Sequence, residues 1–128
     1  MTTSESIQSA IPEDTLKLLL ETGIMATNLG LFSRAEGIFN GILALRPECQ
    51  TTLICLATTK LLSKRFDEAI KILKEKVLTK NPENDAAKSI LGLVLQEAGL
   101  SQEGRTVLES VSAQDKESKA LAEALLAP

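Results

Sequence analysis

Between Leu16 and Cys49 the apolar residues fall into two runs at helical spacing, separated by Asn28-Leu29-Gly30 and closed by Pro47. Leu16, Leu19, Leu20, Gly23, Ile24 and Ala26 make one face of a helix reaching Asn28. Ala35, Ile38, Phe39, Ile42 and Leu43 make one face of a second. Glycine at position 30 suits the left-handed turn past a helix end, and Pro47 cannot extend the second helix. Pro12, Glu13 and Asp14 suit the first turn of the first helix. Ser33-Arg34-Ala35-Glu36 has capping-box spacing at the start of the second. The same pattern predicts helices over about 50–62, 66–79, 84–98 and 102–112, with Asn81-Pro82 as the turn between the fourth and fifth.

The helix pairs are copies. Gly23 corresponds to Ala57 and Gly92, Gly30 to Lys64 and Gly99, and Phe32 to Phe66 and Ser101. Ala35 corresponds to Ala69 and Gly104, and Phe39 to Leu73 and Leu108. Every first step is 34 residues and every second step 35, as is Pro47 to Pro82. The extra residue therefore lies between Leu73 and Pro82, near the end of the fourth helix. Small residues at two positions let the helices of a pair approach, and large ones at the third fill the space between neighbouring pairs. A pair this small cannot bury its own apolar face, so the copies must stack.

With this spacing, its small residues, the Ala–Phe pair and the terminal proline, the stretch 16–112 resembles the tetratricopeptide repeats. The first copy matches best. The third is degraded, with Gly104 in place of alanine and no closing proline. The resemblance implies an all-α, right-handed solenoid of three hairpins over 12–113 (16–49, 50–84 and 85–113). A flexible tail over 1–11 precedes them and a capping helix over 114–128 follows. Asp115 is the expected N-cap of that last helix, whose apolar stripe is Leu121, Ala122, Leu125 and Leu126; binding a partner is the alternative to capping.

Composition narrows the function. The chain has no histidine, which excludes histidine-based proton relays, triads and zinc sites. Cys49 and Cys55 lack a second ligand pair and read as ordinary thiols, and no metal or cofactor is expected. Gly92 and Gly99 fall at repeat positions and form no phosphate loop. The net charge is −3, although Lys60 to Lys80 holds seven basic and three acidic residues. No aromatic residues interleave with these lysines to stack on bases, so no nucleic-acid partner is expected. The start of the chain has no secretory signal, and no apolar run approaches the about twenty residues a membrane span needs. These features predict a cytoplasmic protein that is not an enzyme and does not insert into membranes.

What remains is a surface. In a tetratricopeptide stack the first helix of each hairpin lines a concave groove. By repeat register, that groove presents Leu20, Ile24 and Thr27, then Ile54, Thr58 and Leu61, then Ser89, Leu93 and Gln96. The lining is apolar with a few polar groups and carries no charge, which suits an apolar helix or extended peptide; equally, these residues would pack against the chain's own C-terminal helix or between hairpins. Relatives that bind acidic tails of heat-shock chaperones use a charged clamp, and its places hold Leu20, Ile24, Cys55, Ala86 and Ile90 here. The chain looks most like the small tetratricopeptide-type chaperones of bacterial type III secretion, closer to those of needle subunits than of translocators. The resemblance implies a small secreted helical protein as client, with a second small co-chaperone as a further partner. A structural scaffold or assembly factor, binding through another face, is the alternative.

Overall fold

The computed structural model describes residues 11–112 and 114–127, and among them there are helices and no strands. The helices are α1 (Glu13–Asn28), α2 (Phe32–Leu45), α3 (Gln50–Leu62), α4 (Phe66–Lys71), α5 (Asp85–Glu97), α6 (Ser101–Glu109) and α7 (Lys116–Leu126). They form three hairpins in chain order, α1/α2, α3/α4 and α5/α6, with α7 against both helices of the third. The expected flexible tail falls almost wholly outside the described residues. Its last residue, Ile11, is half-buried against the core.

Packing follows the copy positions. Gly23 lies under Phe39, where an added Cβ would come within 2.5 Å of the ring, and Gly92 lies directly under Leu108. Gly104 brings α6 onto α5, since a Cβ there would meet the Gly92 carbonyl oxygen at 3.0 Å. Phe39, Leu73 and Leu108 are all fully buried. By repeat spacing, these large residues belong in the gap between hairpins. Phe39 and Leu108 instead close over the small residue of their own hairpin, which is why a methyl there has no room.

The 35-residue step has a visible consequence. α4 runs without a break into a π-helical segment, Ile72–Leu78. One residue more than the α-helical path allows is taken up by wider turns, so Leu73 and Val77 both stay fully buried on the core side.

Two sequence-based cap assignments have different outcomes. The Asp115 carboxylate accepts from the backbone N–H groups of Glu117 and Ser118 and caps α7. Ser33 does not cap α2: the helix begins one residue earlier, at Phe32, without a side-chain cap. Glu36 is drawn away instead. It pairs with Lys60 of α3 at 2.5 Å and with Arg65, and Glu68 completes the cluster that joins the first hairpin to the second. Lys74 pairs with Glu103 at 2.6 Å and joins the second to the third.

The stack bends in one direction. Neighbouring first helices touch, α1 with α3, α3 with α5 and α5 with α7. The second helices α2 and α4 do not touch each other among the described residues, and a cleft of about 490 Å³ lies between α2 and the π-helical segment that continues α4. The inner wall is therefore made of α1, α3, α5 and α7.

Candidate functional site

Three successive first helices place the nine expected groove residues, and their burial divides them. Ile24 is 42% exposed, and Leu20, Ile54, Thr58 and Leu93 are half-buried. These five residues form an apolar, uncharged strip across α1, α3 and α5. The Thr58 hydroxyl donates to the Ile54 carbonyl 2.9 Å away, so it offers little unsatisfied polarity to a partner.

The other four are engaged within the chain. Thr27 is buried between α1 and α3, its hydroxyl 2.9 Å from that of Thr59. Leu61 is 6% exposed and belongs to the core. Ser89 is 1% exposed, and its hydroxyl donates to the Ser118 carbonyl of α7 at 3.1 Å. The Gln96 side-chain amide points to the Leu125 carbonyl of the same helix at 3.5 Å. α7 thus occupies the C-terminal end of the wall, in the place a fourth first helix would take.

A pocket of about 240 Å³ opens between the second and third copies. Leu61, Leu62, Lys64, Phe66, Leu93 and Glu97 line it. Leu62 is 48% exposed and was not among the expected lining residues. Its signal was in the register: Asn28, Leu62 and Glu97 are equivalent and follow Thr27, Leu61 and Gln96 by one residue. One residue turns a helix face by about 100°, which exchanges a buried position for an open one.

Elsewhere the chemistry is quiet. Burial raises the Cys55 thiol above its ordinary range, with Cys49 nearby adding to it, so Cys55 stays protonated near neutrality. The Cys49 sulfur accepts from the Thr52 hydroxyl at 3.0 Å. Among the described residues no group of three metal-ligating side chains is found. No described helix is long and apolar enough to cross a membrane. The groups with perturbed carboxylates, Asp85 and Asp115, hold α7 in place. Both are kept below their ordinary pKa by hydrogen bonds, Asp85 from Ser112 and Asp115 from Ser118 and Glu117.

Comparison with known families gives one finding. A tetratricopeptide repeat model matches residues 60–127, from the last turn of α3 through α7. The matched region is the second half of the chain, so it includes the degraded third copy and the terminal helix. No curated protein matches the chain.

Proposed function

The chain belongs to the tetratricopeptide-repeat family, a non-catalytic protein-interaction repeat, and on that premise we propose that it is a protein-binding adaptor or chaperone. It masks an apolar helical segment of a client against the inner wall of α1, α3 and α5. The supporting observation is the strip formed by Leu20, Ile24, Ile54, Thr58 and Leu93, which is apolar, uncharged and partly exposed. An amphipathic helix laid across such a strip buries its own apolar face in exchange. Aliphatic side chains on both partners then leave water at roughly 25 cal/mol per Å².

The finer reading is a type III secretion chaperone of the needle-subunit type. Its support is the resemblance in size, in divergent repeats and in an uncharged groove. Its test is co-expression with a small secreted helical protein of that system. A stable 1:1 complex, or a ternary one with a second small chaperone, is the expected outcome. Ile24→Glu and Leu93→Glu should each abolish the complex while the helical signal shows the stack still folded. Complexes that survive both substitutions would move the site off the inner wall.

The cleft between α2 and the π-helical segment favours a second reading, a scaffold that binds through its outer face. Asn40, Leu43, Leu53, Leu56, Glu75, Lys76 and Lys80 line that cleft. Under this reading Lys76→Glu weakens binding and Leu93→Glu leaves it intact.

A further inference from the structure

The second residue past each first helix is left-handed in all three copies, with φ of +78° at Gly30, +65° at Lys64 and +85° at Gly99. Glycine adopts this conformation without steric cost, whereas the Cβ of a lysine is crowded against its own backbone there. Space does not explain the difference, because a Cβ added to Gly30 or Gly99 would meet nothing within 4 Å. As at Gly30 and Gly99, the conformation serves the helix end, with the Lys64 N–H donating to the Leu61 carbonyl and the Arg65 N–H to the Lys60 carbonyl, but the lysine side chain takes no part in this. It is exposed, and it forms no ion pair among the described residues. Strain of this kind persists where the surrounding fold enforces it, and it gathers at ligand clamps.

Lys64 also lines the pocket of about 240 Å³ on the inner wall, with Leu61, Leu62, Phe66 and Leu93 as the apolar part of the lining. An ammonium beside low-dielectric surface attracts an acid more strongly than one in open water, and more so once a partner has displaced the water. Arg65, next in the chain, is already held by Glu36 and Glu68, which leaves Lys64 as the cation available at this pocket. Glu97 lies in the same lining and disfavours a run of acids.

We propose that this pocket takes one bulky aliphatic or aromatic side chain of a partner helix, and that Lys64 selects partners carrying Asp or Glu one helical turn from that anchor. This deepens the inner-wall reading above and rests on it.

A phage-displayed library of short helical peptides tests it, panned in parallel on the wild type, Lys64→Gly and Leu93→Glu. Wild-type binders should share a large apolar residue with an acid three or four positions away. Lys64→Gly should retain the apolar residue and lose the acid, with acid-bearing peptides weakened about fivefold. Its melting temperature should rise as the backbone strain is relieved, which separates the loss of affinity from unfolding. High salt should reproduce the loss in the wild type. Leu93→Glu should remove both preferences. An apolar consensus without an acid, or an acid preference that survives Lys64→Gly, overturns the role of Lys64 and leaves the inner wall standing. If no selected peptide is sensitive to Leu93→Glu, both readings fall.

Discussion

At one end of the stack Leu18 and Met25 of α1, and Leu29 just past it, face solvent at 62, 63 and 69% exposure; at the other, α7 covers Leu108 and Val111 down to 0 and 3%. The spacing of 18, 25 and 29 is a second helical stripe, and it lies opposite the buried stripe of Leu16, Gly23 and Thr27. α1 is thus apolar on two faces, of which the fold uses one. α7 is built as a cap. It has its own N-cap in Asp115, buries Ser118 and Ala122, and exposes Lys116, Glu117 and Glu123. The glycines divide the same way. Gly23, Gly92 and Gly104 sit where a methyl would collide, whereas Gly37 and Gly41 of α2 face open space. A pocket of about 290 Å³ with Leu16, Leu19, Gly37, Ile38 and Gly41 in its lining lies on that first hairpin. In a repeat stack the contribution of an apolar face depends on having a neighbour. The closed end should therefore be energetically sensitive and the open end nearly indifferent.

Removing the chain after Ser112 is the largest perturbation of that contrast. It discards the contacts of Ala122, Leu125 and Leu126 and uncovers Leu108 and Val111. The expected loss is about 3 kcal/mol in a urea titration, at roughly 1 kcal/mol per partly buried aliphatic side chain. Gly92→Ala comes next, because its methyl overlaps Leu108 at a crossing with no slack. It should cost about 2 kcal/mol by the same measurement. Asp85→Ala removes the acceptor for the Ser112 backbone N–H and hydroxyl and should cost about 1.5 kcal/mol.

The same carboxylate predicts an acid effect with a definite sign. Hydrogen bonds from Ser112 hold the folded pKa of Asp85 below its unfolded value. Its stabilisation is therefore complete above about pH 4 and is lost as pH falls through the folded value. Hydrogen exchange in acid should accordingly open α7 before α1.

The open end should respond weakly or in the opposite direction. Gly37→Ala and Gly41→Ala should each raise stability by about 0.5–1 kcal/mol, since helix propensity improves and nothing obstructs the methyl. Leu18→Lys and Leu29→Lys should stay within about 0.5 kcal/mol of the wild type. A loss of several kcal/mol at either position would show that α1 has a cover absent from this structure.

Much of this was legible in the chain. The offsets among Gly23, Ala57 and Gly92, and among Phe39, Leu73 and Leu108, located every hairpin, because apolar periodicity and small–large pairing are local signals. The 35-residue step placed the irregularity between Leu73 and Pro82, although it did not reveal a π-helix as its form. Of the nine groove residues, Ile24 is exposed and Leu20, Ile54, Thr58 and Leu93 are half-buried. Thr27 and Leu61 sit about one residue off the open face, and Ser89 and Gln96 are covered by α7, a contact more than twenty residues away along the chain. The Ser33 cap failed for a related reason. Glu36 found Lys60 and Arg65 on other helices, and those partners outcompeted its own helix end.

Sequence alone determined the helices, their pairing into three copies and the identity of the residues that pack each hairpin, since all of these depend on neighbours within one repeat. Tertiary structure decided which faces were covered, where the inner wall ends and that Lys64 stands at the edge of an apolar pocket. Those depend on how one repeat is placed on the next, and that placement is set by the summed packing of many side chains rather than by any single spacing.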